Sequence, residues 1–259
     1  MAFAILLVVV GLGLTAPWLG YEPALDVDPS RAGIEPGFAH WLGTDHLGRD
    51  VFWRLLYACQ SFAGPGLMAA AVVIATAVPA GAAAGYHGGW VETPLRFLFT
   101  VVASVPRFVF ILLAASAYGA DTWVLAIATG VTYAPTLGEA VFSRIESLRS
   151  AEYIVANRAH GVPGWRILWL HLVWAACRRL ILRHAVTVFA YFLVLETTLS
   201  YIGSYGVQEP TPSWGNMLVF EWGRDANIAG VVAPVLAIWA VVGACTVLAD
   251  ALVEPAHER

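Results

Sequence analysis

The chain contains no lysine; all fourteen of its basic residues are arginine. A Walker A loop needs a lysine to reach the phosphates of a bound nucleotide, so nucleotide binding by that route is excluded. Charge of either sign is scarce: 12% of the 259 residues are charged, against roughly 25% in soluble domains. Hydrophobic residues make up 59%, more apolar surface than one globule of this size can bury, so the solvent around most of it must be lipid. The three cysteines, Cys59, Cys177 and Cys245, are far apart, in or beside apolar stretches, with no CxxC or Cys/His ligand spacing. They read as buried free thiols. No HExxH or GxSxG occurs, and no serine–histidine pair is positioned by spacing, which argues against an intramembrane hydrolase. Low-complexity tracts and repeats of roughly 20 to 50 residues are also missing.

What is present is a series of apolar stretches, several with room for a span of about 20 residues. They predict an all-α, polytopic membrane protein made of one domain, 1–259. Its six spans fall at about 2–19, 62–85, 95–118, 123–142, 185–201 and 228–248. Residues Met1 to Leu19 have neither a basic flank nor a small-residue cleavage site before Tyr21, which favours a retained span over a signal peptide. The third span is interrupted by Pro106-Arg107, and a bend is expected at Pro135 in the fourth. Residues 144–183, between spans four and five, hold Arg144, Arg149, Arg158, Arg166, Arg178, Arg179 and Arg183. The positive-inside rule makes this loop cytoplasmic, and six spans then put both termini on the same side. The acidic stretches Tyr21 to Arg54 and Tyr205 to Asp225 fall outside. Trp18, Trp53, Trp90, Trp123 and Trp222 lie near span ends, as an aromatic belt would have them.

Three motifs stand out. His40-Trp41-Leu42-Gly43-Thr44-Asp45-His46-Leu47-Gly48-Arg49-Asp50 precedes the second span; its glycines permit tight turns, and Asp45 and Asp50 can neutralise Arg49 or Arg54. Taken alone, it reads as a capped helix start with a local salt bridge. Glu152-Tyr153-Ile154-Val155-Ala156-Asn157-Arg158-Ala159-His160-Gly161 reads as a short amphipathic helix ended by glycine, with Pro163 beyond. Leu199-Ser200-Tyr201-Ile202-Gly203, then Pro210-Thr211-Pro212-Ser213-Trp214-Gly215-Asn216-Met217, leaves the fifth span.

Together these resemble the inner-membrane permeases of ABC importers for dipeptides, oligopeptides and nickel, and in particular the second of the two permease subunits. In that resemblance Gly43, Thr44, Asp45, Gly48, Arg49 and Asp50 match the outer-loop signature. Glu152, Tyr153, Ala156, Arg158, Ala159 and Gly161 match the cytoplasmic EAA motif, the coupling helix of a type I importer fold. Val155 stands where that motif usually has glutamate, Asn157 replaces an alanine, His160 an apolar residue, and Trp174-Ala175 a Pro-Asn pair.

The resemblance implies a bacterial inner-membrane subunit that is not itself catalytic. Its partners would be a paralogous permease, two ATP-binding subunits that hold ATP and magnesium, and an external substrate-binding protein. Without it, the same residues admit an amphipathic helix lying on the lipid surface at 152–161. They also admit a stand-alone ion-coupled carrier using Glu139 and Glu196. Charges inside spans invite a functional role; Arg107 and Glu196 are candidates to line the translocation path, with an interhelical ion pair or a contact with the partner permease as the alternative. His40 and His46 without a carboxylate or cysteine set make a poor nickel site, so no metal is expected. The motifs serve assembly and coupling, and leave the cargo open between peptides and metal chelates.

Overall fold

A computed structural model describes residues 1–15, 18, 26–119, 121–203, 205–221 and 227–252. Glu22 of the acidic stretch and Trp222 of the aromatic belt lie outside the described residues. Among the described residues the structure is helical, with one isolated bridge between Thr44 and Asp50 and no strand. The helices are α1 (Ala2–Thr15), α2 (Val51–Tyr57), α3 (Cys59–His87), α4 (Gly89–Ser104), α5 (Arg107–Tyr118), α6 (Thr122–Leu148), α7 (Glu152–Ala159), α8 (Gly164–Ile202), α9 (Trp214–Glu221) and α10 (Ala229–Ala251).

Four of these stretches are long and apolar enough to cross a membrane: Val51–His87, α6, α8 and α10. The third expected span, 95–118, is instead a broken pair, with α4 and α5 bent by 82°. The cause is Pro106, which lacks an amide donor and disfavours helical backbone in the residue before it; Val105 is extended, at φ −87° and ψ 129°. Pro135 lies inside α6, which continues through it as one helix. Helix α1 covers Ala2–Thr15 of the expected first span, 14 residues.

The largest departure is α8. It starts at Gly164 rather than near 185 and runs for 39 residues, so most of the expected loop 144–183 is helix. Within α8, Ile167–Cys177 is wound as a π-helix, closing i→i+5 bonds. Arg178, Arg179 and Arg183 gave this stretch the look of a loop, but long arginine side chains extend outward and leave a helix intact.

The chain divides into two compact units. The first comprises Met1–Met68, Ala114–Ala126 and Phe189–Val247; the second comprises Ala69–Leu113, Ile127–Val188 and the chain from Leu248.

In the first unit the packing centres on aromatic rings. Phe62 lies 4.7 Å from Trp214 and 6.2 Å from Phe189, centroid to centroid, and the Trp214 indole donates to the Leu55 carbonyl at 3.0 Å. Ser213 and Asn216 exchange reciprocal hydrogen bonds at the start of α9, at 3.0 and 3.1 Å. Gly215 brings that turn against α8, where an added Cβ would strike the Thr197 carbonyl.

The second unit is built on small residues. Ala77, Gly81 and Gly85 on α3 and Gly130, Ala134 and Gly138 on α6 each recur every fourth residue. A Cβ at Gly81 would strike the Gly138 carbonyl, one at Gly130 would sit 2.6 Å from Val72 Cβ, and one at Gly85 2.8 Å from the Phe142 carbonyl. The two backbones therefore touch, the contact that small-residue stripes permit between membrane helices. We expect Gly81→Leu to cost at least the ~1–3 kcal/mol of ordinary overpacking, because it meets backbone that cannot move aside. A thermal midpoint in detergent equal to wild type would rule out this close approach.

Candidate functional site

The outer motif of the first unit folds into a knot of buried charge. Gly43 and Gly48 take positive φ, +75° and +78°. An added Cβ would strike the Ile34 carbonyl at Gly43 and the Asp28 carbonyl at Gly48, so only glycine fits either turn. Thr44 is fully buried, its hydroxyl accepting from the Ile34 amide at 2.8 Å and donating to the Arg31 carbonyl.

These turns place Asp45 beneath two arginines. Its Oδ1 accepts from the amides of Leu47 and Arg49, both at 2.9 Å. Its Oδ2 lies 2.6 Å from Arg49 Nε and 3.6 Å from Arg54 Nε. Glu209, which arrives on the loop between α8 and α9, lies 2.5 Å from Arg49 Nη1 and 2.8 Å from Arg54 Nη2. Both arginines are only 2% exposed. Two carboxylates thus balance two guanidinium groups, which is what burial of charge requires.

Asp50 fulfils the helix-cap part of the expected reading and not the salt-bridge part. It pairs with neither arginine; it caps α2 by accepting from the Trp53 amide at 3.1 Å, with His40 Nδ1 at 2.7 Å from its other oxygen. The N-terminus of a helix offers unpaired amides to a carboxylate, and this outcompetes a second salt bridge. At the edge of the same loop, hydrogen bonds from Ser30 and Arg31 hold the Asp28 carboxyl below its ordinary value of 3.8. Its contribution to the loop is present above that value and is lost as pH falls below it.

In the second unit, α7 begins with Glu152 in its first turn, where a negative charge suits the helix dipole. It ends in a Schellman arrangement: the Gly161 amide donates to the Arg158 carbonyl and the Val162 amide to the Asn157 carbonyl, both at 3.0 Å. Gly161 has φ +76°, with nothing within 4 Å of an added Cβ. Ile154 is the one buried residue of the helix, at 0% exposure. Arg158 stacks over the Tyr86 ring at 5.3 Å. Glu152, Tyr153, Val155, Ala156, Arg158, Ala159 and Gly161 are all exposed. The arrangement is a short helix held by one apolar peg and one cation–π contact, with the rest of its surface open.

The intramembrane charges lie in different units. Arg107, in the second, is the first residue of α5 after the break; its guanidinium lies 4.0 Å from the Tyr133 ring centroid and donates to Thr136 Oγ1 at 2.6 Å. Among the described residues no carboxylate lies within salt-bridge distance of it. Glu139 is 3.3 Å from Arg96, which also holds Glu92 at 3.1 Å. Glu196, in the first unit, is fully buried and accepts from Ser200 Oγ at 2.7 Å; that hydroxyl in turn accepts from the Val207 amide at 2.9 Å. Cys59, Cys177 and Cys245 are free and buried.

Sequence reasoning missed Glu209 and the Tyr86 contact of Arg158. The only local signal for Glu209 was a lone acid in a proline-rich loop.

Comparison with known proteins supplies the context for these two surfaces. Residues 77–257 match the family described as binding-protein-dependent transport system inner membrane component. A dipeptide transport system permease protein of Alkalihalophilus pseudofirmus is 28% identical over 207 residues, covering 80% of this chain and 67% of that protein. The glutathione transport system permease protein of Pectobacterium atrosepticum is 28% identical over 249 residues, covering 95% and 82%. A probable peptide ABC transporter permease protein of Sinorhizobium fredii is 32% identical over 207 residues, covering 80% and 70%.

Proposed function

Because the chain belongs to the binding-protein-dependent transport system inner membrane components, we propose that it is the second permease subunit of an importer that moves di- or oligopeptides. It is an ABC transporter permease and a multi-pass membrane protein. In the proposed assembly it pairs with one paralogous permease, two ATP-binding subunits and an external substrate-binding protein, in a bacterial inner membrane with both termini cytoplasmic. ATP and magnesium stay with the ATP-binding subunits, and this chain catalyses no reaction. The peptide cargo is taken from the relatives, which are named for dipeptides, glutathione and peptides.

The observation that carries the coupling role is the openness of α7. A helix with a single buried residue gains little from its own chain. Its exposed small residues, Ala156, Ala159 and Gly161, permit close approach by a partner. An ATPase groove seated there would push α7, and the push would pass along the chain into α8. The stand-alone ion-coupled carrier is not favoured: its relatives are ABC permeases, and Glu139 is held by Arg96.

Arg107 is the side chain we place on the path. A guanidinium held by a ring and a hydroxyl, with no described carboxylate beside it, is placed to meet an anionic group such as a peptide's C-terminus. Glu196 instead serves the packing between α8 and the loop at Val207. The test is uptake into vesicles carrying the assembled transporter, comparing a dipeptide with its C-terminal amide. Wild type should require ATP and prefer the free carboxylate; Arg107→Ala should lose roughly 10-fold of that preference, the worth of one charged hydrogen bond. Uptake by the isolated chain without nucleotide would remove the ATP-driven proposal. Unchanged preference in Arg107→Ala would remove Arg107 from the path.

A further inference from the structure

Helix α8 is too long for its span. Its 39 residues reach at most about 58 Å at the α-helical 1.5 Å per residue, whereas a hydrocarbon core is about 30 Å thick. Roughly 20 residues suffice to cross, so the N-terminal part of α8 continues past the core and through the headgroup layer. That part is nonetheless apolar and rich in tryptophan: Ile167–Cys177 reads ILWLHLVWAAC.

The π winding sorts this stretch into two faces. Ile167, Leu168, Leu172, Val173 and Cys177 are buried, whereas Trp165, Trp169 and Trp174 are exposed at 67%, 42% and 66%. Both sets recur four to five residues apart. In an α-helix of 3.6 residues per turn, Trp165 and Trp174 would point to opposite sides; the wider π turns between them, over Ile167–Cys177, leave both on the exposed side. Arg178 continues that line four residues on and is exposed, as are Arg166, Arg179 and Arg183. None of these four arginines has a carboxylate within salt-bridge distance among the described residues. The surface therefore combines a row of amphipathic rings with positive charge that no described carboxylate neutralises.

We propose that this stripe of Trp165, Trp169, Trp174 and Arg178 is a binding surface for anionic phospholipid headgroups of the leaflet on the arginine-rich side. Tryptophan, with an apolar body and one N–H donor, is the side chain that settles at headgroup level. Arginines beside it attract anionic lipid, and the π register holds rings and charge on one face. The inference rests on the membrane disposition of α8 alone and not on the cargo.

The test uses the full chain, purified with the subunits it assembles with, in phosphatidylcholine vesicles. Brominated phosphatidylglycerol is titrated in, with brominated phosphatidylcholine as the comparison, and tryptophan quenching is read. The chain has eleven tryptophans, so the stripe's signal is the difference between wild type and W165F/W169F/W174F. That difference should reach half-quenching at a lower mole fraction of the anionic lipid than of the neutral one. R178Q should raise the anionic half-quench point about fivefold, the effect of one arginine at a charged surface, and R178K should restore it. Equal half-quench points for the two lipids, or no shift in R178Q, would overturn the proposal. So would stripe tryptophans that neither lipid quenches, since a protein would then cover them.

Discussion

Replacing Glu209 with glutamine should destabilise the protein by about 3–5 kcal/mol, the cost of leaving a buried charge without its partner. Glu209 holds Arg49 and Arg54 together, and both are almost completely enclosed. Without its charge, Asp45 alone faces two guanidinium groups. The variant keeps the side chain's shape, so the loss reports charge rather than packing. Thermal unfolding in detergent would measure it. A second variant separates charge balance from general damage: Glu209→Gln combined with Arg49→Met removes one charge of each sign, and should recover part of the loss. A cost of less than about 1 kcal/mol for Glu209→Gln would mean that water reaches the cluster and screens it. The result bears on function because the pair joins the loop before α2 to the loop before α9, and in the proposed assembly these loops lie on the side of the external binding protein.

A tryptophan at Ala156 should weaken attachment of the ATP-binding subunit by about 2 kcal/mol, roughly 30-fold, the scale of a disrupted interface hot spot. Ala156 is exposed and the buried peg of α7 is Ile154, so the added ring has room within this chain and meets only a partner. Gly161→Val should also lower transport-coupled ATP hydrolysis, by a different route. Its φ of +76° costs a β-branched residue about 1–2 kcal/mol, enough to loosen the Schellman turn that ends α7. Gly161→Asn, which tolerates that backbone, should retain most of the activity. Membrane insertion should be unchanged in all three. Coupled hydrolysis equal to wild type in both Ala156→Trp and Gly161→Val would show that α7 is not the coupling element.

Much of this was legible in the residues because it is local. Composition dictates lipid as solvent, and the absence of lysine places any P-loop chemistry in another chain. Gly43, Gly48 and Gly161 mark tight turns, and the amphipathic run from Glu152 to Gly161 marks a short helix ended by glycine. Each of these depends on neighbours within a few positions, which a sequence displays directly.

What only the tertiary structure decided involves residues distant in sequence, or competition between two local preferences. Glu209 reaches Arg49 from 160 positions away, and no periodicity announces such a pairing. Asp50 could have bound an arginine; the free amides of α2 took it instead. Pro106 breaks its helix and Pro135 does not, because membrane-helix neighbours can re-satisfy the groups a proline frees. The arginines between 166 and 183 suggested a loop, yet apolar packing of every fourth or fifth residue keeps the backbone helical. Residue type sets which solvent each segment tolerates; which partner meets each charge depends on how the helices pack.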